Sequence, residues 1–271
     1  MPKAPLWVYD PKKTHTCTEA FYRFIEEYDK IIGLFFFTVM TASHVDRVRA
    51  VAAHALADEE SRKKPIEQFN EELMSKRVRQ YSKQLSRDLI ISMANNFLCY
   101  LSEILQDVMI RKHEILRSSE RITTEEALQF SRVQDLRAFI ADRKINELSY
   151  GGQRQMRDFI SERLGVEMIT TDEHGTLLTI FVELRNIHTH NRGVVNQLFL
   201  NRIGASHPKF SFKLGHAYHV DFDQFVLLSR NTIEVAQKLD DMLARKFRLK
   251  RARYKERLEK DRKKAGRLPA A

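Results

Sequence analysis

One short stretch of this chain gathers side chains suited to chemistry on an anion. From Glu183 to Gly193 the sequence runs Glu-Leu-Arg-Asn-Ile-His-Thr-His-Asn-Arg-Gly, which brings Arg185, Asn186, His188, His190 and Asn191 together. A guanidinium matches phosphate bidentately, and an imidazole titrates near neutrality and can carry a proton. The segment closes an amphipathic stretch that begins near Thr170, where Thr170, Thr171 and Asp172 all offer a helix cap. At about 100° per residue, Leu178, Phe181 and Val182 fall within about 60° of Arg185. The arginine therefore sits on the apolar stripe. It must be paired there or face a cleft, because an unpaired buried charge is too costly. Asn191 and Gly193 supply helix-ending chemistry just beyond, so a cation, an amide and two imidazoles meet at one helix end.

The elements that must position this cluster are helical. No glycine occurs between Gly33 and Gly151 and no proline between Pro65 and Pro208, which excludes a β-sandwich or barrel over most of the chain. The pattern predicts an irregular leader over 1–16 and a helix from Glu19 to about Glu60, broken near Gly33 and Ser43. A boundary follows at Ser61–Pro65, then a helix from Ile66 to about Leu116. The second half of that helix, from Leu89 to Val108, is apolar nearly all round and reads as the centre of a bundle. Shorter helices start at Thr123 and Ser131, and another spans Gln153–Leu164 and ends at Gly165. Alternation over Lys209–Lys213 and Ala217–Phe222, with Leu214-Gly215-His216 between, predicts a small β-hairpin. A last helix from about Asp223 runs past Phe247 with no breaker until Gly266.

Charge is concentrated at one end. Of 46 basic and 36 acidic residues, 13 basic and three acidic fall in Arg245–Ala271, so the preceding chain carries 33 of each sign and is neutral. Cys17 and Cys99 are too few for a disulfide framework or a cysteine zinc site, and Cys99 lies in an apolar run that reads as core. The start has no apolar stretch of signal-peptide type, and Ile31–Met40 is shorter than the roughly 20 residues of a membrane span. The expectation is a soluble cytoplasmic protein with no membrane span. Phe35-Phe36-Phe37 reads as core or dimer contact. His207, His216 and His219 lack a joining carboxylate or cysteine pattern, and 216 and 219 would point to opposite faces of a strand, so no metal site is expected. Phosphate-loop, dinucleotide-fold and nucleophile-elbow motifs are absent, so no cofactor is expected either.

The segment from Arg185 to Gly193 resembles the R-x4-6-H motif of the HEPN superfamily, with a polar residue directly after the arginine. The resemblance reaches roughly over residues 85–245. It implies an all-α, up-and-down helical bundle that dimerises, here with the small β-hairpin as an insertion and a basic C-terminal helical tail. The implied divisions are an N-terminal helical region at 1–80, a HEPN-like bundle at 81–244 and the tail at 245–271. It also implies a metal-independent endoribonuclease, a toxin or phage-defence effector, that cleaves RNA by 2′-OH attack. His190 would transfer protons, Arg185 would stabilise phosphate charge, and Asn186 would orient the site. His188 and Asn191 would be accessory, and His188 departs from the apolar residue usual in the family. The implied partners are RNA, a second copy and an antitoxin or other protein. Lys246, Arg248, Lys250, Arg251 and Arg253 would seek RNA phosphates. The competing reading is a non-catalytic HEPN-like module for dimerisation or for binding RNA or a protein partner.

Overall fold

Apolar residues recurring at Leu89, Ile90, Met93, Ala94, Phe97, Leu101, Ile104, Leu105 and Val108 define a helix that no single neighbour can cover. The computed structural model describes residues 8–117, 122–150, 152–204 and 207–265. In it this helix, α3 (Ser82–Arg111), touches four long helices: α1 (Glu19–Leu56), α5 (Val133–Tyr150), α7 (Asp172–His190) and α9 (Phe222–Phe247). The shorter α2 (Leu73–Gln80), α4 (Thr124–Leu128), α6 (Gly152–Leu164) and α8 (Gln197–Ile203) fill the connections, and α10 (Tyr254–Ala265) ends the described chain. The protein is an all-α bundle with one two-stranded antiparallel sheet.

Caps set most boundaries. Thr123 and Glu126 form a capping box at α4, Asp221 and Gln224 form another at α9, and the Thr171 hydroxyl accepts from the His174 N–H at α7. Gly165 ends α6 with φ at 59°. Three boundaries differ from the sequence expectation. Helix α1 runs unbroken through Gly33 and Ser43; a lone glycine weakens a helix without stopping it. The long helix expected over Ile66–Leu116 is divided, with a short turn at Ile66–Phe69 and then α2 and α3 meeting at Tyr81. Helix α9 stops at Phe247, because Arg248 takes the left-handed conformation with φ at 53°. That conformation is uncommon outside glycine and leaves no mark in the sequence.

The strand pair also lies elsewhere than expected. Thr16–Cys17 (β1) pairs antiparallel with Ala252–Arg253 (β2), in the register Thr16↔Arg253 and Cys17↔Ala252. The stretch 209–222 does not form a hairpin with itself. Phe210 and Phe212 stack at 6.0 Å, Phe212 meets Phe199 of α8 at 4.9 Å, and 213–218 bonds instead to the residues just after α7. Cys99 is exposed, not core. Phe35 and Phe36 pack on Phe222 at 6.0 and 5.9 Å, while Phe37 faces outward.

The basic tail is folded against the body. Tyr254 is buried between Tyr9 and Tyr22, at 5.4 and 5.5 Å, and the Tyr22 hydroxyl donates to Asp261 at 2.7 Å. Arg257 pairs with Glu19 and lies over the Tyr22 ring. One core runs from Cys17 through α1, α3 and α9 to Tyr254, so side chains from both sides of residue 80 share it. Residues 1–7 of the leader, Gly151 and the tail beyond 265 lie outside the described residues.

Asp240 anchors this arrangement. Its carboxylate accepts from the Thr18 backbone N–H at 3.1 Å and from the Thr18 hydroxyl, and Thr18 is the N-cap of α1. Burial pushes the Asp240 pKa up to about 6, opposed by the two Thr18 donors. The folded-state value lies above the unfolded one, so this carboxylate contributes more stability as pH falls from about 6 toward about 4. Asp240→Ala leaves two buried donors unsatisfied and should cost about 2 kcal/mol or more near neutrality. Asp240→Asn keeps an acceptor without a charge to bury and should cost less. Urea denaturation of both variants at pH 7 checks the order; equal losses would contradict it.

Candidate active site at the end of α7

The last two turns of α7 separate the five candidate residues by burial. Arg185, half-buried, donates its Nε to the Asn95 side-chain oxygen at 2.9 Å and an Nη to the Asn186 side-chain oxygen at 3.2 Å. Asn95 comes from α3, so the central helix aims the arginine. Among the described residues no carboxylate pairs with Arg185, so the two amides orient its charge without neutralising it. This resolves the placement of a cation on an apolar stripe. The guanidinium keeps its charge available to an anion.

His188 and His190 are only two positions apart, yet their surroundings are opposite. His190 is exposed on the final turn and has no hydrogen-bond partner among the described residues. His188 is 1% exposed, with neither ring nitrogen hydrogen-bonded. Gly193 lies directly over it. A Cβ at Gly193 would come within 2.8 Å of the His188 ring, and φ there is 79°. Only glycine meets both demands. Burial lowers the His188 pKa to about 4, with His219 and Arg87 adding positive charge nearby. At neutral pH His188 is an uncharged ring packed under a backbone turn, whereas the imidazole open to solvent is that of His190.

The chain after α7 builds that cover. Asn191 donates from its side-chain amide to the Val194 carbonyl at 2.6 Å, and the Asn191 and Gly193 N–H groups both reach the Ile187 carbonyl, at 2.8 and 2.9 Å. Asn191 is therefore a residue that closes the helix end. Gly193 accepts from the Tyr218 N–H at 2.9 Å, and Val194 bridges Ala217. The segment expected to be a hairpin thus acts as a strap across the end of α7, and it carries His219 to within 6.4 Å of His188. His219 has its own pKa lowered by burial and by Lys83.

Sequence reasoning gathers Arg185, Asn186 and His190 but misses Asn95 and Arg87, and it weighs His219 only for metal, not for this helix end. The two amides Asn95 and Asn96 inside the apolar run of α3 are the signal that points to the first; Arg87 and His219 leave none. Helix geometry also spreads the expected group. Five residues separate Arg185 from His190, which is about 140° around the axis and about 7.5 Å along it. Of the histidines at 207, 216 and 219, His207 packs on Phe210 at 5.5 Å and His216 bonds the Leu214 carbonyl at 3.0 Å.

The five basic residues expected to seek phosphate divide as well. Lys246 donates to the Gly165 carbonyl at 2.9 Å, Arg251 to the Thr16 carbonyl and to Asp241, both at 2.8 Å, and Arg253 pairs with Glu256 at 2.8 Å. Arg248 and Lys250 are exposed and make no ion pair or side-chain hydrogen bond with the described residues.

The buried imidazole has a stability signature. A histidine with a folded-state pKa of about 4 and an unfolded value near 6.5 binds more protons when unfolded between those limits. Its contribution is complete above about pH 6.5 and is lost as pH falls toward 4. His188→Leu removes the group and its unsatisfied nitrogens. The variant should gain on wild type by about 2 kcal/mol between pH 7 and pH 5, read from paired denaturation curves; curves that stay parallel would refute it. No family model matches this chain, and no curated protein and no solved structure matches it either.

Proposed function

We propose that this chain is a metal-independent endoribonuclease of HEPN type, cytoplasmic and working as a homodimer. The observation that carries the reading is an arginine with no carboxylate partner among the described residues, held by Asn95 and Asn186, with the exposed imidazole of His190 about a turn and a half further along the same helix. RNA supplies its own nucleophile. The 2′-OH attacks the adjacent phosphorus, the bond to the 5′ oxygen breaks, and the products are a 2′,3′-cyclic phosphate and a 5′-hydroxyl. His190 moves the proton and Arg185 binds the charge that builds on the phosphoryl oxygens. Asn186 and Asn95 act through Arg185 by fixing its direction. The wide angle between Arg185 and His190 on one helix suits a cleft to which two copies contribute. In such a cleft the arginine of one copy and the histidine of the other can face one phosphate. A toxin or phage-defence role, restrained by an antitoxin or other protein, fits an enzyme of this kind.

Incubating the purified protein with mixed RNA in EDTA should give fragments with cyclic phosphate ends. Arg185→Ala and His190→Ala should each lower cleavage by about 100-fold or more, as expected for a transition-state charge contact and a proton-transfer group. His188→Leu should leave activity largely in place. Intact RNA across pH 6–8 would leave the non-catalytic module as the reading. Because the tail packs on α1, deleting it would disturb the fold, so charge removal is the cleaner test. Arg248→Ala with Lys250→Ala should weaken RNA binding and reduce the salt slope by about 2, with the cleavage rate at saturating RNA unchanged.

A further inference from the structure

Helix α1 extends well beyond the core it helps to form. Up to Ile32 it is largely buried. Beyond that point only one face is covered: Ala42, Asp46 and Ala50 are buried, with the Asp46 carboxylate accepting from the Met74 and Ser75 N–H groups of α2 at 2.8 and 2.7 Å. The opposite face carries Leu34, Phe37, Met40, Val45, Val48 and Val51, with Leu34, Phe37 and Met40 exposed by 67%, 67% and 68%. No charged residue lies on that face from Gly33 to Ala55; Arg47 and Arg49 flank it on either side. A contiguous apolar face of this kind on a water-soluble bundle marks an interaction surface.

The order of its residues identifies the partner. Numbered from a point between Ala42 and Ser43, the face is its own mirror: Leu34 corresponds to Val51, Phe37 to Val48, Met40 to Val45 and Thr41 to His44. An isologous contact requires this property, because residue i of one copy must suit residue j of the other and the reverse. We propose that this face pairs two copies of the chain through antiparallel α1 helices, with a two-fold axis at Ala42–Ser43. The apolar pairs then stack along about 26 Å of helix. Thr41 and His44, the two polar residues of the face, meet across the axis in two equivalent hydrogen bonds that set register and direction, as buried polar pairs do in coiled coils. A strip of that length on helices about 10 Å across buries on the order of 1,000 Å² in total, enough for a specific dimer. The pairing is argued from the exposure and symmetry of the α1 face and not from Arg185 and His190; dimer mass and RNA cleavage test the two readings separately.

Light scattering on the full chain should give twice 31.9 kDa at micromolar concentration. Phe37→Glu and Val48→Glu, both at exposed positions, should each return the monomer mass with unchanged helical circular dichroism. In a Cys99→Ser background, mixing Leu34→Cys protein with Val51→Cys protein should give an oxidised disulfide dimer, while either alone should not. A monomeric chain, a dimer indifferent to both glutamates, or Leu34→Cys protein that crosslinks to itself would each overturn the proposal. Sedimentation of a monomeric chain with phosphatidylserine vesicles would assign the face to a membrane instead. That alternative is concrete: α1 is long and apolar enough to span one, with a window of mean hydropathy 1.3.

Discussion

A helix apolar over half or more of its circumference cannot stand at a surface, and α3 is such a helix. Its burial requires cover from several directions, which α1, α5, α7 and α9 supply. Everything else follows from how those four reach it. Tyr100 shows how closely they must fit: fully buried, it spends its hydroxyl on the Ala236 carbonyl of α9 at 2.9 Å. The few polar side chains that α3 carries inward then become fixed points of reference. Asn96 donates to the Phe24 carbonyl at 2.9 Å and so registers α1, and Asn95 holds Arg185 and so registers α7. The same packing that stabilises the bundle therefore directs the guanidinium.

At the end of α7 one backbone device places two identical side chains in opposite surroundings. The positive-φ turn at Arg192–Gly193, tied to the Ile187 carbonyl and to the strap at Tyr218, closes over His188 and leaves His190 outside. An imidazole buried with no protein acceptor is held neutral, while the one on the final turn stays in solvent. The cost of two ring nitrogens without a protein partner sits beside the candidate site, where departures from polar satisfaction concentrate.

Much of this was legible in the residues, and what was not has identifiable causes. The scarcity of glycine and proline marks the all-α class, and the capping boxes at Thr123 and Asp221 and the cap at Thr171 announce helix starts through local chemistry. Arg185 betrays its setting by standing on an apolar stripe. Illegible were features that depend on partners distant in sequence. The alternation at 209–222 suggests a hairpin, but Phe212 finds Phe199 of α8 and the backbone finds Gly193 and Val195, so pairing goes outside the segment. Arg248 ends α9 in a conformation that its identity does not announce. The likeness of His188 to His190 conceals a difference made by Gly193 and the strap. The cationic tail reads as an appendage because nothing in its composition reveals that Tyr254 belongs to the core.

The pairing of Thr16–Cys17 with Ala252–Arg253 joins segments separated by most of the chain. Closing so long a loop carries a large entropic cost before any contact rewards it, so contacts of this kind form late. On a ribosome, α1 emerges well before the Asp240 that holds its N-cap Thr18 and the Tyr254 that covers it. Until then Cys17, Phe21 and Tyr22 have no lid, and the growing chain exposes an aromatic surface. Nascent chains are most exposed to misassembly and to chaperones in such an interval. A segment made long after it thus locks α1, and the folded state depends on residues from both sides of that closure.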